Sequence, residues 1–527
     1  MGDSLIQAFE QVFEWRVLAI IVAASAYGLF IGSIPGMTAT MAVALLIPIT
    51  FFLDPVSALA AIVALEACAI FAGDIPAALV RMPGTPSSAA YVDDAYLLVR
   101  RGRQDEVFGI ALIFSVVGGL IGSLILVTSA PLVARIAFSF TTYEYFWLNL
   151  IGLSCAAVVS QGSRLKGTLS LLIGLIISTV GLSEVHSAPR FTFGRDELVA
   201  GIDFIPAMIG LFGFSEVLRN VLRPKQISAT VVQEGLHTSG GRSRGIFYRQ
   251  LWQPFRALFV AASPLLWTRK MYVLLSSLVG AAIGALPGAG ADIAAWVSFG
   301  LSKRLSKNPE EYGRGSLEGL GDSTTANNAA LAGAWIPALV FGIPGDSITA
   351  IVIGVLLMKN ITPGPQIFTN PKQTVLVYSI YITFILANLL LIPLGYLAIR
   401  AGSTLVRMPR RMLMPIITLF CLVGSYAING RYFDVWVMLL MGVFGFALEL
   451  KAVPLGPLVL GIVLGGKLEQ TFIQCMSKSD SFWDFFARPL AGSLGLICLL
   501  LWVYPLLASL WRGTPSPPEQ SAPLSGE

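Results

Sequence analysis

Long apolar stretches alternate with short polar segments along almost the whole chain of 527 residues. A helix that crosses a membrane needs about 20 consecutive apolar residues, and many of the stretches approach that length. They predict about twelve membrane elements, some of them too short to cross on their own. The strict apolar–polar alternation of a membrane β-strand is absent. The pattern therefore predicts an all-α polytopic membrane protein.

Proline and glycine interrupt the apolar stretches in a repeated order. The segment GLFIGSIPG at residues 28–36 matches GAAIGALPG at 280–288, and IPAALVRMPGT at 75–85 matches IPALVFGIPGD at 336–346. Because the two motifs follow one another in the same order in both halves, the sequence indicates a duplicated unit. The helices of each unit are predicted to break at Pro-Gly or to form re-entrant hairpins there.

The distribution of basic residues indicates that the two units are inverted relative to each other. In the first unit a basic loop follows the second Pro-Gly, with Arg100 and Arg101, whereas in the second unit the loop between the two motifs is basic, with Lys303 and Arg304. Basic loops stay on the cytoplasmic side. Equivalent loops are therefore predicted on opposite sides of the membrane, as in inverted repeats.

The chain divides into five predicted segments. Residues 1–16 are predicted to form an amphipathic helix, because apolar residues recur there at helical spacing. Residues 219–256 are rich in Arg and Lys and are predicted to form a cytoplasmic linker. We predict a first repeat unit over 17–218, a second over 257–511 and a disordered tail over 512–527.

Composition supports the membrane assignment and argues against nucleic-acid binding, metal sites and enzymatic activity. Hydrophobic residues make up 55% of the chain and charged residues 12%, against about 25% charged residues in a soluble protein. The net charge of +5 lies in loops and indicates topology, not nucleic-acid binding. The five cysteines form no CxxC motif, and the two histidines lie in polar loops without metal-ligand spacing. We therefore predict no enzymatic activity and no cofactor.

The Pro-Gly breaks are the candidate site. A broken helix frees amides at one half-helix end and carbonyls at the other, and these groups attract anions and cations respectively. The alternative is that each Pro-Gly merely ends a helix at the membrane surface. Four motifs in register across a duplication favour a transport site at the bilayer midplane.

Charged residues beside the first-unit break sharpen this interpretation. Asp74 and Arg81 are seven residues apart and would share one side of a continuous helix. Either they bind substrate, Arg81 holding a carboxylate bidentately, or they pair with each other structurally. Glu66, deeper in the same segment, is either a proton-relay carboxylate or a structural buried acid. Asp93 and Asp94 are predicted at the surface.

Polar uncharged residues complete the candidate site. Asn327 and Asn328 either bind carboxylate or Na⁺, or hydrogen-bond between helices. Hydroxyls after the breaks either bind an anion or cap the following helix. We assign substrate or ion binding to Pro35, Gly36, Asp74, Arg81, Pro83, Gly84, Thr85, Pro86, Ser87, Pro287, Gly288, Asn327, Asn328, Pro344, Gly345, Asp346 and Ser347, with a possible Na⁺ near Asn327, Asn328 and Asp346.

At these residues the chain resembles the TctA family, the large permease of tripartite tricarboxylate transporters. The matching strings are GLFIGSIPG, MPGTPSSAA, GALPGAG, SKNPEEYGRGSLEG, TTANNAA, IPALVFGIPG and ITPGP, and they are spread over both units up to Trp511. The resemblance implies a multi-pass permease in the bacterial inner membrane. It would import carboxylates such as citrate by symport with sodium or protons. Its partners would be a small membrane subunit of TctB type and a periplasmic receptor of TctC type.

The chain departs from the family pattern at the proposed site. Serine is usual in the family where Asp74 and Asp346 stand, and asparagine where Arg81 stands. An Ala-Pro-Glu-like run is usual before the paired asparagines, where this chain has Gly-Asp-Ser-Thr at 321–324. These differences indicate a different carboxylate or altered cation coupling. The alternatives to the tripartite permease are an ion channel and a receptor-independent carboxylate transporter.

Overall fold

The computed structural model describes residues 2–159, 163–183, 188–222, 256–406, 410–478 and 481–511. Most of the predicted linker, the whole predicted tail and both histidines lie outside these residues. The predicted boundaries of the two units stay predictions.

The first half of the described chain is helical apart from short connections. Residues Ile209–Phe214 form a π-helical turn between two of its helices, and two antiparallel strands of two residues each, β1 (Gly181–Leu182) and β2 (Pro189–Arg190), form the only sheet of the described chain. The helices are α1 (Gly2–Val12), α2 (Trp15–Gly32), α3 (Ala39–Phe51), α4 (Pro55–Ala72), α5 (Asp74–Val80), α6 (Val92–Arg100), α7 (Gln104–Ala137), α8 (Thr142–Val159), α9 (Arg164–Ser178), α10 (Phe204–Met208) and α11 (Ser215–Leu222).

The second half of the described chain is helical as well. Its helices are α12 (Arg256–Thr268), α13 (Lys270–Gly284), α14 (Gly290–Leu305), α15 (Leu317–Phe341), α16 (Ser347–Met358), α17 (Pro371–Leu405), α18 (Arg410–Asn429), α19 (Tyr432–Leu450), α20 (Leu455–Met476) and α21 (Pro489–Trp511). Short 3₁₀ turns lie at Ser88–Ala90, Asp196–Leu198, Pro309–Glu311, Pro365–Phe368 and Phe482–Phe486.

The prediction of an all-α polytopic membrane protein is confirmed, whereas the count of about twelve membrane elements is not. Within the described residues, seven helical segments are long and apolar enough to cross a membrane, or eight if α12 and α13, which meet at 87°, form one bent span. The apolar helices α3 and α16 have only 13 and 12 residues. They are too short to cross, because a span needs about 20 residues.

The two halves share one mode of helix packing. Gly28 and Gly32 of α2 lie against the backbone of α4, where a Cβ atom on Gly32 would overlap the carbonyl oxygen of Ala69. Gly280 and Gly284 of α13 lie in the same way against α15, at Ala326 and Ala330. Small residues allow this close approach of two helix backbones. The matched contacts support the duplication, and the inverted orientation of the units stays a prediction.

A buried acid joins the first half to the second. Asp94 is 1% exposed, so its predicted position at the surface is wrong. Its carboxylate accepts hydrogen bonds from the backbone N–H groups of Gly313 at 2.8 Å, Gly315 at 2.6 Å and Ser316 at 2.8 Å. These residues lie just before α15, so Asp94 on α6 anchors the loop that leads into that helix. Its neighbour Asp93 lies at the surface as predicted.

Candidate functional site

Residues at or just after all four Pro-Gly breaks line one cavity of about 430 Å³. Each break is followed by residues that line it: Thr38–Thr40 after the first, Thr85–Ser87 after the second, Gly288–Asp292 from the third and Asp346–Ile348 from the fourth. Most of the remaining wall comes from residues between Leu211 and Arg219 and from residues around the start of α20, with Ile70 of α4 and Ala350 of α16. The two halves of the chain therefore build one shared space.

Four helices begin at the cavity wall: α3, α14, α16 and α20. The Thr38 side chain caps α3 and the Asp346 side chain caps α16, whereas α14 and α20 have no side-chain cap. The first backbone N–H groups of a helix have no partner within that helix. The wall therefore presents backbone donors and positive helix ends, which favour a bound anion.

Hydroxyl groups and backbone of the first unit form one side of the cavity. The Thr85 and Ser87 hydroxyls lie 2.8 Å apart. The Ser87 backbone N–H donates to Oδ1 of Asp292 at 3.2 Å, and the indole N–H of Trp296 donates to the Pro86 carbonyl at 3.3 Å. Both partners lie on α14, so the break of the first unit is held against a helix of the second unit.

Two carboxylates of the second unit form another side. Oδ1 of Asp346 accepts hydrogen bonds from the backbone N–H of Thr349 at 2.8 Å and from its hydroxyl at 2.7 Å, an arrangement known as a capping box. Asp292 and Asp346 line the same cavity. Neither carboxylate forms an ion pair with any residue that the structure describes.

Glu66 lies on α4, outside the cavity lining. It is 0% exposed, and the indole N–H of Trp335 donates to its Oε2 at 3.1 Å. Its Oε1 has no hydrogen-bond partner among the described residues. A buried carboxylate in this position supports either of the predicted roles, a proton relay or a structural acid.

Asp74 and Asn327 belong to a second polar cluster, outside the lining of the cavity. The Tyr91 hydroxyl donates to Oδ1 of Asp74 at 2.5 Å, and Oδ2 of Asp74 has no described partner. The Asn327 amide lies beside the Tyr91 hydroxyl, but neither of its polar atoms makes a well-formed hydrogen bond to the described chain. The Asn328 amide donates to the Thr324 carbonyl at 3.1 Å. Both asparagines are buried in α15.

Arg81 does not reach the cavity. Its side chain is 61% exposed and donates from Nε to Oδ1 of Asp93 at 2.7 Å. It follows α5 in the left-handed conformation, with φ 54° and ψ 33°, and this turn directs the side chain away from Asp74. The structure therefore supports neither the predicted carboxylate clamp nor the alternative pairing with Asp74.

Of the predicted site residues, six line the cavity and the others lie behind its wall or apart from it. Two breaks touch directly behind the wall, where the Gly288 N–H donates to the Gly345 carbonyl at 2.8 Å. The lining residues are Thr85, Pro86, Ser87, Gly288, Asp346 and Ser347, and those outside the lining are Pro35, Gly36, Asp74, Arg81, Pro83, Gly84, Pro287, Asn327, Asn328, Pro344 and Gly345.

Several lining residues escaped the sequence reasoning. Asp292 is the fourth residue after the glycine of a Pro-Gly motif, so the rule that selected Asp346, which directly follows such a glycine, does not reach it. Arg219 lines the cavity and pairs with Glu216 and with Glu449 at 3.7 Å. The sequence pattern places it in the basic linker because of its basic neighbours. A π-helical turn lies just before Glu216. The spacing of apolar residues at the helical period of 3.6 does not reveal such a turn, although π-helical turns are frequent at functional sites.

An all-α membrane protein in which residues after four helix breaks line one cavity has the features of a membrane transport protein. Residues 18–460 match the model of a family described as "Tripartite tricarboxylate transporter TctA family". The chain belongs to this family, which confirms the resemblance seen in its motifs.

Two relatives from Agrobacterium vitis are similar to the chain. One, named "Uncharacterized 52.8 kDa protein in TAR-I ttuC' 3'region", is 33% identical over 491 residues, which cover 92% of this chain and 92% of the relative. The other, named "Uncharacterized protein in TAR-II ttuC' 3'region", is 37% identical over 235 residues, 44% of this chain and 96% of the relative. No solved structure matches the chain.

Proposed function

We propose that the chain is the permease subunit of a receptor-dependent secondary transporter that imports an organic carboxylate across the bacterial inner membrane. The family supports a tricarboxylate transporter permease component. The import direction, the receptor and the coupling to sodium or protons are parts of the proposal. Its partners are a small membrane subunit of TctB type and a periplasmic receptor of TctC type.

The observation that carries the proposal is the meeting of four helix N-termini at one cavity. Of these termini, α14 and α20 have no side-chain cap, and α14 carries Asp292 in its first turn whereas α20 has no acidic residue there. The Thr85 and Ser87 hydroxyls belong to the same lining. Backbone N–H groups, helix dipoles and hydroxyls together favour a carboxylate over a neutral solute. A volume of about 430 Å³ lies within the range of about 300–1,000 Å³ that is usual for small-molecule sites.

The proposal is tested by uptake of radiolabelled citrate into proteoliposomes. The vesicles contain the chain with its small membrane subunit, and purified receptor is added outside. We expect uptake only with receptor and with an inward sodium or proton gradient. Equal uptake without receptor and without a gradient would contradict the proposal and favour a channel or an independent carrier.

A variant of the wall tests the site itself. Thr85→Val removes a hydroxyl but keeps the side-chain shape, so we expect citrate affinity to fall about tenfold, or about 1.4 kcal/mol. The matched control is Ser139→Ala, an exposed hydroxyl outside the cavity. An unchanged affinity in Thr85→Val, at normal expression, would show that the carboxylate binds elsewhere.

A further inference from the structure

A second cavity, of about 210 Å³, lies along the same helix face as the cavity at the Pro-Gly breaks, which we now call the central cavity. Leu455 and Val459 of α20 line the central cavity, and Ile462, Gly466 and Glu469 line the second one. These residues follow one another at spacings of three or four and therefore share one face of the helix. The two cavities thus follow one another along α20.

The second cavity lies on the side of the membrane opposite to the basic linker. The segment Phe204–Leu222 is long and apolar enough to cross the membrane. Phe204, at its start, lines the second cavity, whereas residues between Leu211 and Arg219 line the central one. The linker that is predicted to be cytoplasmic begins at the end of this segment. The second cavity therefore lies on the side from which the solute enters in the proposed import.

The charged groups of the second cavity form one bidentate pair. Nη1 of Arg190 donates to Oε1 of Glu469 at 2.8 Å, and Nη2 donates to Oε2 at 2.9 Å. Arg190 is the one cation and Glu469 the one acid of this lining among the residues that the structure describes. Two parallel hydrogen bonds are the geometry in which arginine recognises a carboxylate. The Glu469 side chain thus occupies a place that fits the carboxylate of a solute.

The pair is open to exchange with another carboxylate. The Arg190 and Glu469 side chains are 32% and 27% exposed, and ion pairs that water reaches contribute little to stability. The N–H at Nε of Arg190 has no hydrogen-bond partner among the described residues, although buried polar atoms normally have one. The guanidinium therefore has a donor left over for an incoming acceptor.

We propose that Arg190 binds a carboxylate of the solute in the second cavity before the solute reaches the central cavity, and that Glu469 fills this place when no solute is present. This assignment rests on the proposed function and adds a binding site on the same route. A volume of about 210 Å³ lies below the range of about 300–1,000 Å³ that is usual for small-molecule sites. The second cavity therefore suits a passing organic acid that is held by one carboxylate group.

A cysteine in the second cavity tests binding directly. Gly466 lines it, and a Cβ atom there meets no other atom within 4 Å, so Gly466→Cys should fold normally. Because the native cysteines are buried, a membrane-impermeant thiol reagent should modify the new thiol selectively, and citrate should slow this reaction. The slowing should disappear when Gly466→Cys is combined with Arg190→Gln. Ser139→Cys, at an exposed position outside both cavities, should react at one rate with and without citrate.

Citrate uptake into proteoliposomes distinguishes recognition of the solute from a purely structural ion pair. Arg190→Gln removes the guanidinium and should raise the apparent KM at least about tenfold, and Arg190→Lys should recover part of this loss. Glu469→Gln removes the competing carboxylate and should lower the apparent KM. A structural ion pair predicts instead that both Gln variants are impaired alike, because each breaks the same pair. Glu106→Gln, which breaks the exposed pair with Arg103, is the matched control and should leave KM unchanged.

Every outcome of these measurements decides the role of Arg190. Citrate protection that depends on Arg190, with opposite KM changes in the two Gln variants, supports the assignment. The assignment is wrong if Gly466→Cys does not react, if citrate does not slow its reaction, if the folded Arg190→Gln protein is still protected, or if Glu469→Gln raises KM as Arg190→Gln does. Thermal unfolding of each variant shows whether it is folded. The proposed function fails separately, when the wild type with its receptor does not take up citrate.

Discussion

Arg81 and Gly342 end corresponding helices in the same left-handed backbone conformation. Their φ and ψ angles are 54° and 33° for Arg81, and 66° and 29° for Gly342. This conformation is strained for residues with a Cβ atom and free of strain for glycine. In the second unit the left-handed residue is a glycine, which adopts this conformation without strain. In the first unit it is an arginine whose side chain pairs with Asp93 at the surface.

Arg81→Gly should therefore stabilise the protein and leave transport intact. We expect the free energy of unfolding to rise by up to about 1 kcal/mol, because the left-handed turn no longer strains a side chain. The lost surface ion pair offsets little of this gain. Thermal unfolding in detergent and citrate uptake in proteoliposomes measure the two effects. A large loss of citrate uptake in the Arg81→Gly variant would show that Arg81 does take part in transport.

Asp94 should contribute more to stability than its surface neighbour. Asp94→Ala leaves the N–H groups of Gly313, Gly315 and Ser316 without their charged acceptor. Hydrogen bonds to charged groups contribute about 1.5–3 kcal/mol each, and the three share one carboxylate, so we expect a loss of about 2–4 kcal/mol. Asp93→Ala is the control, with a change below about 1 kcal/mol. Equal effects in thermal unfolding would contradict the role of Asp94.

At the scale of elements, the repeated glycines decide how closely the helices pack. On α13, Gly284 lies against the backbone of α15, where α15 is buried along most of its length. Gly32 holds the corresponding place between α2 and α4. The breaks that follow these glycines reach the cavity only if the helix pairs stay this close.

Gly284→Ala should destabilise the fold by about 1–3 kcal/mol, because the new Cβ atom overlaps the Ala330 carbonyl and forces α13 away from α15. The matched control is Gly300→Ala on α14, where a Cβ atom meets no other atom within 4 Å. Alanine there should stabilise the helix by up to about 1 kcal/mol. Thermal unfolding compares the two variants, and equal stability would contradict the close packing.

At the scale of the whole molecule, the cavity joins residues from both ends of the chain. It takes one part of its wall from Thr38–Thr40 and another from Val453–Pro457. All five cysteines are buried. The wild-type chain should therefore react slowly with a membrane-impermeant thiol reagent, and a single new cysteine in the cavity becomes a specific probe.

Thr40→Cys should react with such a reagent, and the reaction should slow when citrate and sodium are both present. The ligands would occupy the space beside the new thiol or change its access to water. Ser139→Cys, outside the cavity, should react at the same rate with and without them. If the rate of thiol modification in Thr40→Cys is the same with and without citrate and sodium, the cavity is not their binding site.

Much of the architecture was predictable from local patterns. The all-α membrane class follows from the length of the apolar stretches, and the breaks follow from Pro-Gly. Asp346, which the chain places directly after a break, lines the cavity, whereas Arg81 lies at the surface beside Asp93. Helical spacing does not anticipate the left-handed turn at Arg81.

The sequence by itself determined the membrane class, the duplicated motifs, the positions of the breaks and the family, because each depends on neighbouring residues or on matching strings. Only the tertiary structure decided that Thr85, Asp292 and Asp346 share one cavity, that Arg219 is held there by two acids, and that Asp94 is buried. These residues are far apart in the chain. They come together only because α14, α16 and the break of the first unit pack against one another. A pattern of neighbouring residues does not predict that packing.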